Sequence, residues 1–338
     1  MRQTDAAAAA AEIPGLVVRP YDGEADLPEV ARIQSAEWAA DGVSERASID
    51  ELRAHWGNPS EQFDPARDVD IVEVDGRVVA VSQRDWIDAT DGVREYKARG
   101  WIDPTFRRRG IGTMLVARNE AIRRAMAAGH DTDRPLVLGM GGPETNLGAQ
   151  ALARAFGYEP ARWFADMERS LLEPLPEVPP MPDGVDVRPA SADQARKIWE
   201  ADVEAFRDHW GGWDLSEASF RRWIESPEFQ LDLMVVAWDG DEIAGAVLNA
   251  VYAEENRELG VSRGWLDSVF TRRAWRRRGL ARALIVRSLH LLRERGLATA
   301  ALGVDADNPS GAFGLYESAG FHPTKRFVAW RKPLELDR

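Results

Sequence analysis

Hydrophobic and polar positions run through the same succession twice along the chain. A strand opening of the form GxxVRP occurs at Gly15 to Pro20 and again at Gly184 to Pro189, with the arginines separated by 188 − 19 = 169 positions. Two apolar runs flanking an Asp-Gly pair follow in each half, Ile71 to Ser82 around Asp75-Gly76 and Leu233 to Val247 around Asp239-Gly240. Both read as β-hairpins, because Asp-Gly supplies the positive φ angles of a tight primed turn. The blocks RRRGIG (Arg107 to Gly112) and RRRGLA (Arg276 to Ala281) repeat at the same offset, 276 − 107 = 169. AFGY, ending at Tyr158, matches SAGF, ending at Phe321.

After Gly279 the apolar residues Leu280, Leu284, Ile285, Leu289 and Leu292 recur at helical spacing, and Gly296 supplies a stop. TAALGV, Thr299 to Val304, reads as a buried strand. Asn308 and Pro309 suit the N-cap and first position of a further helix, with a stripe of Ala312, Leu315, Tyr316 and Ala319 closed by Gly320. Each half is therefore expected to run strand, two helices, hairpin, long strand, helix, strand, helix and final strands. That is an α/β arrangement with a mixed sheet, distinct from a doubly wound dinucleotide fold. Five prolines between Leu171 and Gly184 mark an extended linker. The expected division is a tail at 1–13, a first domain at 14–172, a linker at 173–183 and a second domain at 184–338.

Length and composition bear this out: 338 residues suit about two cores at ~150 residues each. Absence of cysteine excludes disulfides, thiolate nucleophiles and cysteine-ligated metal centres. A net charge of −13 repels polyanions, which disfavours nucleic acid and acidic membranes as partners and favours cationic small molecules. No apolar run approaches a membrane span, and the alanine-rich start carries Asp5, so the expectation is a cytoplasmic protein with a frayed tail.

In RRRGIG and RRRGLA an apolar strand runs through arginines into a glycine-opened amphipathic helix, which aims backbone N–H groups and a positive helix end at one spot. An exposed arginine run on a solvated helix is the plain alternative, and it weakens once the pattern follows a strand in both halves. On these residues the chain resembles the GNAT superfamily of acyl-CoA-dependent N-acyltransferases, whose Gln/Arg-x-x-Gly-x-Gly/Ala signature falls at Arg107, Gly110, Gly112 and at Arg276, Gly279, Ala281. Ile102 and Pro104 match the apolar-x-Pro pattern before the first copy; Thr271 and Arg273 depart from it in the second. The distal segment NPSGAFGLYESAGF, opening at Asn308, adds to the match. Two such domains in one chain resemble the layout of the mycothiol synthase family and related tandem acetyltransferases.

The resemblance implies two tandem domains, each a mostly antiparallel twisted sheet flanked by helices, with acetyl-CoA as co-substrate, no metal, and a small-molecule amine as acceptor. It implies that the amides of Arg276, Arg277, Arg278, Gly279, Leu280 and Ala281 hold the pyrophosphate. Val269, Phe270 and Thr271 would pair with the pantetheine arm, and Asn308 would flank its other side. Ile102 with Arg107, Arg108, Arg109, Gly110, Ile111 and Gly112 form the corresponding set of the first half. Tyr316 stands at the general acid's position; a phenol at ~10 can protonate a thiolate whose thiol lies near ~8.5. An amine near ~10 is almost wholly protonated at pH 7, so a base is needed. Asp267 is the nearest carboxylate, sharing by strand alternation a face with Val269 and Thr271, and His209 is the other candidate. Each also has a plain reading: Tyr316 as a packed helix aromatic, Asp267 as a surface carboxylate, His209 as a loop histidine packed among Trp210 and Trp213. Trp210, Trp213 and Trp223 suit either a core or an acceptor pocket.

Aligning Gly157 with Gly320 sets Ala153 opposite Tyr316 and Thr145 opposite Asn308. The first domain is therefore expected to lack the acid and to be a degenerate copy. Alternatives of other classes are a non-catalytic acyl-CoA-binding or scaffolding protein, which Tyr316 opposes in the second half, and a peptide or protein N-acetyltransferase. The oligomeric expectation is a monomer or homodimer.

Overall fold

The computed structural model describes residues 13–212, 214–307 and 311–336. The first half contributes β1 (Leu16–Pro20), α1 (Leu27–Ala40), α2 (Ile49–Trp56), α3 (Pro65–Asp68), β2 (Val69–Val74), β3 (Arg77–Asp88), β4 (Arg94–Ile102), α4 (Ile111–Ala128), β5 (Leu136–Pro143), α5 (Leu147–Ala155) and β6 (Glu159–Ser170). The second contributes β7 (Val185–Arg188), α6 (Ala195–Ala205), α7 (Glu217–Glu225), β8 (Val235–Asp239), β9 (Glu242–Ala250), α8 (Ala253–Leu259), β10 (Arg263–Thr271), α9 (Leu280–Glu294), β11 (Thr299–Asp305), α10 (Ala312–Ser318) and β12 (His322–Pro333). The expected order of elements holds in both halves with one helix added in each: the one-turn α3 ahead of the hairpin in the first, and α8 between the hairpin and the long strand in the second.

Two compact units form. Among the described residues the first holds 13–163, 211, 212, 214 and 327–336, and the second holds 164–210, 215–307 and 311–326. Strand order in the first is β1-β2-β3-β4-β5-β12, and in the second β7-β8-β9-β10-β11-β6. Neighbours are antiparallel in each except for one parallel pair, β4 with β5 and β10 with β11. This is the mixed, mostly antiparallel sheet expected.

The sixth strand of each sheet comes from the opposite half of the sequence. Phe327–Pro333 pair with Val137–Pro143 in the first unit, and Phe164–Ser170 pair with Thr299–Asp305 in the second. Both halves end in the same kind of half-apolar strand, so period-2 patterning identifies these strands without saying which sheet each one joins. Residues 173–183 form neither helix nor strand, and Leu175 and Met181 pack on the core of the second unit.

The first hairpin turns at Asp75-Gly76, with φ of 51° and 77°. The second differs from expectation by one residue: Asp239 pairs with Glu242, so the turn is Gly240-Asp241. Only Gly240 of those two has a positive φ, at 58°, and a leading glycine is what such a two-residue turn requires. In the second unit the buried stripe of α9, Leu280, Leu284, Ile285, Leu289 and Leu292, packs with Ala300 and Leu302 of β11 and Met167 of β6. Burial of each such leucine contributes about 1.5–3 kcal/mol. Gly264 lets α9 lie close: a Cβ there would come 2.8 Å from side-chain carbons of Leu292 and Leu297.

Candidate active site

In the second unit β10 and β11 run together for only three residues, Arg263–Trp265 beside Thr299–Ala301. Beyond Trp265 the ladder between them stops, although β10 stays paired with β9 as far as Thr271 and β11 with β6 as far as Asp305. A split therefore opens between two otherwise paired strands. The amide of Arg272 donates to Ala244, 3.0 Å away, so by the alternation of an antiparallel ladder the Thr271 amide points away from β9 and toward the split. Val269 packs toward α9, whereas Phe270 is buried with Ile198 and Ala201 of α6.

The chain then passes through a short turn into the arginine loop. Arg277 has φ 60° and Gly279 φ 83°, two left-handed residues that bend the backbone before α9 starts at Leu280. No side chain caps that helix, and the space a Cβ would take at Gly279 is open, with no atom within 4 Å. The N–H groups of Leu280 and Ala281 begin α9 where its dipole is positive. Arg276 donates to the carbonyls of Thr271 (2.9 Å) and Ala205 (3.0 Å), Arg278 to that of Asp183 (3.1 Å), and Arg282 to the Ser318 hydroxyl (2.6 Å). Among the described residues Arg277, Arg278 and Arg282 have no carboxylate partner, so the loop keeps uncompensated positive charge. A diphosphate-bearing co-substrate fits these groups: unused backbone donors, an open glycine and excess cation at one helix end. Asn308 lies outside the described residues, and α10 opens at Ala312 behind Gly311, φ 76°.

Tyr316 lies on α10 with 7% of its surface exposed, edge-on to Phe321, and burial pushes its phenol up to about 12. Asp267 is the extra residue of a β-bulge between Leu266 and Ser268. That bulge resets the alternation, which corrects the expectation that Asp267 shares a face with Val269 and Thr271. Ser268 and Phe270 now face α6, while Val269 faces α9. Asp267 lies at the surface, and its carboxylate, packed against the neighbouring chain, accepts a hydrogen bond from the Tyr252 hydroxyl at 2.9 Å. Desolvation by the surrounding chain, against that hydrogen bond, pushes it up to about 6, with Glu228 and Glu255 adding in the same direction. His209 has its Nδ1 3.2 Å from the Trp210 carbonyl oxygen and its ring beside Phe206. Among the described residues, Asp267 bonds Tyr252 and His209 bonds the Trp210 carbonyl, and no hydrogen bond joins Tyr316, Asp267 and His209 to one another.

Asp202 of α6, missing from the sequence reading, accepts from Ser268 at 2.5 Å, is 8% exposed, and burial pushes it up to about 7. Its signal was available: it interrupts the buried stripe Ile198, Ala201, Ala205 with a carboxylate. Trp223 packs in that same core with Phe229, as the plain reading has it, and Trp213 lies outside the described residues.

The first unit repeats the loop geometry, with Arg108 at φ 63° and Gly110 at φ 89° before Ile111 starts α4 and Gly112 follows. Two of its three arginines are otherwise engaged. Arg107 binds Glu37 and Asp41, and Arg109 stacks over Phe106. The Ile102 amide, a counterpart of that of Thr271, donates to Glu37. Ala153, fully buried, stands where the second unit has Tyr316.

Residues 195–321 match the acetyltransferase (GNAT) family. The mycothiol acetyltransferase of Geodermatophilus obscurus is 30% identical over 91% of this chain and 94% of its own length. Among solved structures, a GCN5-related N-acetyltransferase from Sphaerobacter thermophilus superposes with a TM-score of 0.69 at 28% identity, covering 96% of this chain and 97% of that one. A tandem GNAT protein from the clavulanic acid biosynthesis pathway shares the fold with a TM-score of 0.68 at 18% identity, covering 96% and 100%.

Proposed function

The chain belongs to the GNAT acetyltransferase family, as an acetyl-CoA-dependent N-acetyltransferase akin to mycothiol acetyltransferase, and we propose that its second unit transfers acetyl directly to a primary amine of a small molecule. One observation carries this reading: the split beyond Trp265 lies one short turn from an uncapped, glycine-opened helix whose arginines have charge to spare. When bound, acetyl-CoA supplies a thioester carbonyl open to attack by an amine. The amides from Arg276 to Ala281 hold its pyrophosphate, and the Thr271 amide engages the arm in the split. Tyr316 donates the proton that the leaving thiolate takes up, and Asp267 accepts the proton that the amine gives up. Asp267 is favoured over His209 because it stands on the bulged strand that borders the split. Asp267 with Glu228 nearby gives this place negative potential, which suits an acceptor that arrives as an ammonium, whereas Glu255 is held by Arg263. The free-amine precursor of mycothiol is the first acceptor to test.

Gly279→Val puts a β-branched side chain at a left-handed position, at a cost of about 1–2 kcal/mol in stability. It also fills the open space in front of the loop. CoA affinity, measured by calorimetry, is expected to fall at least about tenfold in a protein that is still folded. Unchanged affinity in the folded variant would remove the loop from the cofactor site.

The pH profile follows from Asp267. As a base it works only when ionised, so kcat/KM rises as pH increases through an apparent pKa of about 6. Asp267→Asn is expected to abolish that limb. A limb retained in the variant would assign the base elsewhere, with Asp202, which burial pushes up to about 7, next in line.

A further inference from the structure

The first unit has the same split. β4 and β5 pair only over Arg94–Lys97 and Leu136–Gly139. The Asp103 amide donates to Val79 of β3 at 2.8 Å, so the Ile102 amide points away from β3 and toward the opening. There it meets Glu37 Oε2 at 3.1 Å. Arg107 donates to both Asp41 oxygens at 2.7 and 2.8 Å and to Glu37 Oε1 at 3.1 Å. From beyond β5, Asn146 Nδ2 reaches Asp41 at 2.8 Å and Glu37 at 3.3 Å, and the Thr145 hydroxyl donates to the Asp41 carbonyl at 2.5 Å.

Two carboxylates from the end of α1 thus engage donors on both sides of the opening, the end of β4 with its loop arginine and the start of α5. The arm of a second acetyl-CoA would have to displace Glu37 from the Ile102 amide and part the bonds that span the opening, and its pyrophosphate would then approach two negative charges. Burial pushes Glu37 up to about 7 even with Arg107 drawing it down, which marks it as an enclosed group. At the repeat offset of 169, Phe206 and Trp210 stand at the numbers of Glu37 and Asp41, so the second unit has no carboxylate at either place.

Resting on the reading that the second unit's split takes acetyl-CoA, we propose that Glu37 and Asp41 fill the first unit's split as a built-in occupant, so that the chain takes up one acetyl-CoA and not two. The test is calorimetry with CoA on the full-length chain. Wild type is expected to bind one CoA, and Gly279→Val is expected to show no remaining site of comparable affinity. Adding Glu37→Ala and Asp41→Ala to Gly279→Val is expected to restore one site, at least about tenfold tighter than the Gly279→Val background. Glu37→Gln with Asp41→Asn, closer in size, serves the same comparison if the alanine pair does not fold. Two sites in wild type, one full-affinity site left in Gly279→Val, or a folded Glu37/Asp41 variant without gain would overturn the proposal. Failure of the functional reading appears separately, as a wild-type chain that binds no CoA, and the Glu37 and Asp41 variants still decide between an occupied and an inert cleft.

Discussion

Tyr316→Phe is expected to lower kcat about a hundredfold while leaving the affinity for acetyl-CoA nearly intact. The substitution keeps the ring and its edge-on packing against Phe321 and removes one hydroxyl, for which no hydrogen-bond partner occurs among the described residues. Stability should therefore change little. A phenol pushed up to about 12 stays protonated at every working pH, so it is always loaded as a donor. It is a weaker acid than in water, but the same desolvation raises the pKa of a thiol leaving into those surroundings, which narrows the gap between them. Steady-state kinetics with calorimetry separate the two quantities. A fall in affinity with kcat unchanged would make Tyr316 a packing residue for the co-substrate.

Gly320→Ala is expected to destabilise the second unit by about 3–5 kcal/mol, whereas Gly157→Ala, at the matching position of the first, should cost only about 1 kcal/mol. Both glycines follow a helix in left-handed conformation, with φ of 91° and 79°. Around Gly157 nothing lies within 4 Å of a new Cβ, but at Gly320 it would sit 1.4 Å from Arg169 Nη1. That guanidinium is buried and tied to the carbonyls of Ala319 (2.6 Å) and Pro174 (2.8 Å). Moving it breaks two bonds made by a charged donor, each worth about 1.5–3 kcal/mol. Denaturant unfolding of the two variants reads the difference directly, and equal costs would show that Arg169 yields freely.

Much of this architecture was legible in the sequence, for reasons specific to the residues. Glycines requiring positive φ, at Gly76, Gly110, Gly279, Gly296 and Gly320, mark turns and helix ends that local sterics dictate, and the α9 stripe follows the helical period. The strand exchange was not legible, because β6 and β12 carry equivalent apolar patterns and only tertiary packing decides which sheet each closes. The bulge at Asp267 was also hidden: one extra residue reverses every side chain after it, and no glycine announces it. The Glu37–Arg107–Asp41 cluster escaped because acidic residues near a helix end read as a solvated face until the fold brings them onto an arginine 66 to 70 positions away.

The most direct measurement is product mass analysis of the whole chain with acetyl-CoA, the free-amine precursor of mycothiol and a set of unrelated small primary amines. The expected result is one acceptor gaining an acetyl group in step with CoA release, at a rate about a hundredfold lower in Tyr316→Phe. Acetyl-CoA bound in the second unit with no small amine acetylated would contradict the assignment and leave a protein that binds acyl-CoA without transferring it.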